Sequence, residues 1–195
     1  MRFTSRGIAA HSSTGKGINA NLKMIPFLSE IRELYMEVDG DPQWQDERYD
    51  PPTINMNIGI NDHTTAVNIT PAQSVCTVNF RTMPAINADS LADRIKSIGT
   101  KHDLELDILF ETEPLFTDPD SNFVAEMLKL TGTERSHTVP YGTDGSCFQE
   151  LEDIVVCGPG DIRQAHRDDE WISLEQLNLG TDLYEKLIRN WCCSG

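Results

Sequence analysis

Between residues 19 and 38 apolar side chains fall at Leu22, Ile25, Leu28, Ile31, Leu34, Tyr35 and Val38. That spacing predicts a helix with Glu30, Arg32, Glu33 and Glu37 on its other side. Pro26 lies inside the run, so the regular helix either starts near Ile25 or is kinked there. A second amphipathic helix is expected over 88–102, with Leu91, Ile95 and Ile98 inward. Elsewhere the period is two. Residues 2–10 (RFTSRGIAA) mix β-branched and apolar side chains and read as a strand. Residues 53–60 place Ile54, Met56, Ile58 and Ile60 on one face, and 74–82 set Cys76, Val78 and Phe80 against Val75, Thr77, Asn79 and Arg81. Residues 104–110 (LELDILF) read as a further strand, and 39–52 as a polar, proline-rich loop.

The order is strand, helix, strand, strand, helix, strand. It predicts an α/β (α+β) fold that begins with a ferredoxin-like βαββαβ sandwich over residues 2–112, with both helices on one face of an antiparallel sheet. Residues 113–195 differ. A helix is expected over 121–131, short strands over 136–141 and 153–157, and a closing helix over 173–191 with Ser173 as its N-cap. So few strands bury little core, so this stretch reads as part of a domain rather than a whole one.

The hydrophobic fraction of 38% supports a packed core in a chain of 195 residues. Sixteen basic residues against 31 acidic ones give a net charge of -15. An excess of that sign disfavours nucleic acid and anionic membrane surfaces as partners. No apolar run reaches membrane-spanning length, and the first residues carry no secretory signal. The five cysteines show neither CxxC nor zinc-finger spacing, which points to free thiols in the cytoplasm.

Candidate chemistry starts with the histidines. His166 follows the 153–157 segment on a loop that also carries Asp161, Asp168, Asp169 and Glu170. There it is either a cation ligand or base, or an exposed surface histidine. His11 lies on a loop made bendable by Gly15 and Gly17, where an imidazole can hold an oxyanion or simply be solvated. Asn19 or Asn21 could cap the helix that follows. Arg81 ends a strand and suits a carboxylate by a bidentate contact, or makes a surface salt bridge. Thr143 and Asp144 sit on a glycine-flanked turn and read as an N-cap. His63, His102 and His137 read as structural or exposed.

Four segments, GIAAHSSTGKGINA, AVNITPAQSVCTVNFRTMP, YGTDGSCF and GPGDIRQAHRDDEWISLEQL, follow one another in an order that resembles the dinuclear-zinc amidohydrolases. That family includes acetylornithine deacetylases, succinyl-diaminopimelate desuccinylases, aminoacylases and glutamate carboxypeptidases, and the last segment is most similar to the first of these. The resemblance implies a ferredoxin-like lid that mediates homodimerisation, inserted into a zinc-binding α/β catalytic domain, with 113–195 as the carboxyl-terminal portion of that domain. It implies two zinc ions per site, with cobalt able to substitute, a small N-acyl amino acid as substrate, and a place in amino-acid biosynthesis. His166 matches a zinc ligand, and His11 matches the lid histidine that reaches the partner subunit's site to stabilise the oxyanion. Asn68 and Arg81 match positions that hold the substrate's carboxylate end, and Gly158 and Gly160 match a backbone turn lining the pocket.

Family members also carry an HxD motif, a bridging Asp and a Glu-Glu pair before the lid, and none of these precedes the lid here. In NDHTTAVN, Asp62 rather than His63 takes the family's histidine position when Ala66 is aligned. The expected reading is a fragment that lacks the general base and most metal ligands and is inactive alone. The missing part would be a separate amino-terminal catalytic chain or lost by truncation. Its rivals are a non-catalytic dimerisation or regulatory module, and a ferredoxin-like RNA-binding domain, which would need a basic, aromatic sheet face.

Overall fold

The alternating and helical patterns of the first half resolve into β1 (Arg2–Arg6), α1 (Asn21–Gly40), β2 (Met56–Asn61), β3 (Gln73–Phe80), α2 (Ala88–Lys101) and β4 (Glu105–Asp107). The structure is a computed structural model and describes residues 1–148 and 150–193. The sheet order is β2-β3-β1-β4 with every pairing antiparallel, the βαββαβ arrangement that the sequence predicts. Phe3 of β1 stands opposite Cys76 of β3, and Ile58 of β2 stands opposite Val78, so these side chains share one face. Both helices cover that face. The ring of Phe27 in α1 lies 4.7 Å from that of Phe3, and Gly99 of α2 abuts the same Phe3 ring.

The inward face of α1 is Met24, Phe27, Ile31, Leu34 and Val38. Leu22 and Ile25, expected to point inward, are exposed, because the helix is rotated so that Met24 and Phe27 meet the sheet. The helix begins at Asn21 and runs through Pro26. The proline, sixth in the helix, removes the bond to the Leu22 carbonyl, and the helix continues through it. Its N-cap position is Ala20, without a side-chain cap; the Asn19 Oδ1 instead accepts the Asn21 amide at 2.9 Å. On its flank toward α2, residues two turns apart carry ion pairs. Lys23 meets Asp103 at 2.8 Å, Glu30 meets Lys101 at 2.9 Å and His102 at 2.7 Å, and Glu37 grips Arg94 at 2.6 Å. His102 is thus structural. Apart from the half-buried Glu30–His102 contact, these pairs are solvent-exposed and set register more than they add stability.

Two strands are shorter than expected. β1 stops at Arg6, after which Ile8 bridges only to Ile18. β4 has three residues because it pairs only with Arg2 to Thr4 of β1, and Ile108, Leu109 and Phe110 beyond it are exposed. The helix-to-sheet packing gives a direct test. A methyl added at Gly99 would lie 2.3 Å from the Phe3 ring. Gly99→Ala therefore lowers stability by about 1–3 kcal/mol, against the gain of about 1 kcal/mol expected at an open helix position. A urea titration should show a lower midpoint at unchanged slope.

By its contacts the chain divides into two compact units, Met1–Pro114 with Val139–Gly142, and Leu115–Thr138 with Thr143–Gly195. The second unit contains α3 (Asn122–Thr131) and α4 (Leu174–Cys192). Ser121 caps α3 by accepting the Val124 amide at 3.2 Å, and Ser173 caps α4 by accepting the Gln176 amide at 3.1 Å, as its sequence predicts. The rings of Phe123 and Trp191 stack at 5.6 Å between the two helices. The strands expected over 136–141 and 153–157 do not form among the described residues. The 153–157 backbone finds no neighbouring strand, and its polar groups are met by side chains instead. The Ile154 amide donates to the Thr117 Oγ1 at 2.9 Å, and the Tyr184 hydroxyl donates to the Cys157 carbonyl at 3.2 Å. Val156 is exposed rather than buried.

Candidate functional site

His11 is placed by a zipper between two loops of the first unit. The Thr70 amide donates to the Ala10 carbonyl and the Ser12 amide to the Asn68 carbonyl, each at 2.8 Å. His11 and Asn68, separated by most of a sandwich in sequence, therefore lie side by side at one end of the sheet, both exposed. His11 precedes a single 3-10 turn, Ser12–Thr14, closed by Gly15 in the left-handed conformation (φ 64°). Its Nδ1 accepts the Ser13 amide at 3.3 Å and lies 2.7 Å from the Ser13 hydroxyl. An Nδ1 committed as acceptor puts the proton of the neutral ring on Nε2, so the outward nitrogen is a hydrogen-bond donor.

The neighbouring 61–70 loop is pinned at its start. The Asn21 side-chain amide donates to Asp62 at 2.9 Å, and Asp62 also accepts the Thr64 amide at 3.0 Å. These bonds hold the Asp62 carboxyl below its ordinary range. Sequence reading missed this anchor. Asn21 had the composition of a cap, and nothing local signalled a partner 41 residues away.

Arg81 follows the last residue of β3, and its amide donates to the Asn55 carbonyl at 3.1 Å. Its side chain is exposed and has no carboxylate partner among the described residues, so the surface salt bridge considered for it does not form. The guanidinium reaches the 139–142 segment, where a Cβ at Gly142 would lie 3.6 Å from its Nη1. A free guanidinium on a rigid strand end can take a planar anion bidentately.

In the second unit, Gly160 has φ 99°, which a side chain would strain. Its amide donates to the Gln176 side chain of α4 at 3.3 Å. A Cβ at Gly158 would stand 3.0 Å from the Tyr184 hydroxyl. Pro159 rests on Gly180, the buried residue of α4. The Gly158 to Gly160 turn is thus held against α4 by close backbone approach. Thr143 caps the following 3-10 turn by accepting the Gly145 amide at 3.3 Å, as an N-cap should.

His166 is exposed, with a left-handed backbone (φ 59°) and its amide donating to Glu170 at 2.8 Å. Strain of this kind in a non-glycine residue persists where the surroundings over-determine it. The acidic residues expected around the imidazole are partly engaged elsewhere. Asp161 is gripped by Arg163 at 2.6 Å, which pulls its carboxyl down to about 2. Among the described residues no group of three or more metal-type side chains could hold an ion. A catalytic zinc normally takes three protein ligands. Around His166 the described residues therefore offer one exposed imidazole and no set of three ligands for zinc.

Against known proteins, residues 1–107 match the peptidase dimerisation domain. The chain is 30% identical over 197 aligned positions to an acetylornithine deacetylase of Proteus mirabilis, covering 95% of this chain and 49% of that protein. It is 26% identical to a succinyl-diaminopimelate desuccinylase of Shewanella pealeana, covering 96% and 52%. Among solved structures it is similar in fold to a tripeptidase of Staphylococcus aureus, with a TM-score of 0.63 and 18% identity over 97% of this chain and 50% of that one. The chain spans about half the length of the curated relatives it matches.

Proposed function

We propose, since the chain belongs to the M20 peptidase family through the dimerisation domain of residues 1–107, that it is the lid and carboxyl-terminal portion of a metal-dependent hydrolase that cleaves small N-acyl amino acids in the cytoplasm. The observation that carries this reading is that the sandwich places an outward Nε2 donor on His11, with Asn68, before the start of β3 and an exposed guanidinium on Arg81 after its end, so that the two groups serve one site when they come from different subunits. An N-acyl amino acid presents two matching groups, an amide carbonyl that becomes an oxyanion and a carboxylate. His11 would donate to the oxyanion, across the dimer, and Arg81 with Asn68 would hold the carboxylate end. Gly158 and Gly160 would line the pocket with backbone. His166 would supply one ligand to zinc, the metal that activates water in this proposal; the remaining ligands and the general base come from outside these 195 residues.

The dimer would form along β2. The other edge, β4, is short and studded with the Arg2–Asp107 and Arg6–Glu105 ion pairs. β2 is longer, uncharged and unpaired on its outer side. Its own Ile60 is 62% exposed, and Ile25 and Tyr35 of α1 are exposed too. A bare edge next to an apolar helix flank invites a second copy. The rival reading, a dimerisation module without catalysis, keeps this surface but gives Arg81 no task.

The test is Arg81→Ala in the assembled enzyme. Losing a bidentate clamp on a charged group costs about 2–4 kcal/mol of binding, or a Michaelis constant about thirty- to a thousandfold higher. Catalytic efficiency within a few-fold of the parent would remove Arg81 from the site.

A further inference from the structure

The place of Ile69 beside His11 follows from the two bonds of the loop zipper. The Thr70 amide donates to the Ala10 carbonyl and the Ser12 amide to the Asn68 carbonyl, so the bonds flank the His11–Ile69 pair rather than join it. In an antiparallel ladder such a pair sends both side chains to the same face, with its Cα atoms only about 4.5 Å apart. The imidazole of His11 and the aliphatic side chain of Ile69 are therefore immediate neighbours. Both are exposed, Ile69 to 46%. Other exposed aliphatic side chains at this end are placed differently. Ile8 and Ile18 exchange both backbone bonds with each other. Val67 sits in the turn that the Ile69 amide closes onto the Ala66 carbonyl at 3.3 Å.

An oxygen that accepts a hydrogen bond from the His11 Nε2 lies about 2.9 Å from it. The carbonyl carbon behind that oxygen carries two substituents, the amide nitrogen and the first carbon of the acyl group. The nitrogen leads to the amino acid and its charged carboxylate, which an aliphatic surface does not solvate. The acyl carbon leads to apolar chain, which gains by leaving water for an aliphatic neighbour. Ile69, held one cross-strand spacing from the imidazole, is such a neighbour.

We infer that Ile69 packs against the acyl group of a substrate whose carbonyl is held by His11, and so sets how large an acyl group the site accepts. The inference rests on the hydrolase reading above and adds its specificity determinant. Because one zipper holds both residues, Ile69 acts on whichever subunit's substrate His11 serves.

N-formyl, N-acetyl, N-propionyl and N-butyryl derivatives of one amino acid, each given to the assembled enzyme, test it. Ile69→Ala removes the aliphatic contact and opens space, so the butyryl-to-acetyl ratio of kcat/KM should rise at least about tenfold, the worth of a methylene or two in an apolar site. Ile69→Phe fills the same space and should lower the propionyl-to-acetyl ratio by a similar factor. Both changes fall on an exposed loop residue outside the core, and circular dichroism verifies the fold. Hybrid dimers separate direct contact from a general effect. When His11→Ala subunits are mixed with His166→Ala subunits, the intact composite site uses the lid of the His166→Ala subunit. Ile69→Ala should shift the ratio when that subunit carries it and leave the ratio unchanged when the His11→Ala subunit carries it. Ratios within about twofold of the parent in both variants, or shifted equally from either subunit, overturn the inference and leave the hydrolase reading standing. A parent assembly that hydrolyses none of these derivatives overturns that reading and the inference with it.

Discussion

Replacing His11 with alanine in the complete enzyme lowers turnover about a hundred- to thousandfold, the usual consequence of removing one preorganised oxyanion donor. The Michaelis constant should move no more than a few-fold, because the hydrogen bond strengthens only as negative charge develops on the carbonyl oxygen. The geometry behind this is specific. The Ser13 amide occupies Nδ1, so the proton sits on Nε2, and the zipper to Asn68 and Thr70 holds the loop in place. Substitution by glutamine, which keeps a donor, should recover part of the loss. Mixing His11→Ala subunits with His166→Ala subunits separates two arrangements. Action across the dimer predicts that hybrids regain one intact composite site. Hybrids that form and stay inactive would place His11 within its own chain's site or outside catalysis altogether.

The second large effect concerns metal. After dialysis against a mild chelator, these 195 residues alone should retain far less than one zinc per chain, and His166→Ala should change that little. The structure gives the reason: one exposed imidazole, with Asp161 taken by Arg163 and Glu170 engaged by the His166 amide, and no cluster of three metal-type side chains among the described residues. Once the missing ligands are supplied, His166→Ala should abolish stoichiometric binding at one of two sites. Tight stoichiometric zinc on the chain alone would show a ligand set that the described residues do not reveal.

Much of the first unit was legible in its sequence because its signals are local. The alternation of Cys76, Val78 and Phe80 fixes the inward face of β3, and Leu91 and Ile95 fix that of α2. Ser173 announces the start of α4 as a cap should. The failures come where the answer depends on a distant partner. Leu22 and Ile25 fit a helical period as well as Met24 and Phe27 do, and only packing on Phe3 selects the second pair. LELDILF has strand composition throughout, but β1 offers partners to three of its residues. Residues 153–157 have the composition of a buried strand and no strand to lie beside. Among the candidate residues, residue type singled out His11 and Arg81, and the family resemblance added Asn68, one at a time. Their neighbours could not be read: the contact of His11 with the Asn68 loop and, among the described residues, the absence of a carboxylate on Arg81 belong to tertiary structure.

The central claim is that these residues are the lid and carboxyl-terminal part of a metal-dependent amide hydrolase and need an amino-terminal half to work. The most direct measurement is hydrolysis of an N-acetyl amino acid by this chain alone, and by this chain co-purified with the amino-terminal half of the Proteus mirabilis relative, each titrated with zinc. The account predicts no turnover from the chain alone and zinc-dependent turnover from the pair, lost in His166→Ala. Turnover by the chain alone, or an assembled, zinc-loaded pair that hydrolyses nothing, would contradict it.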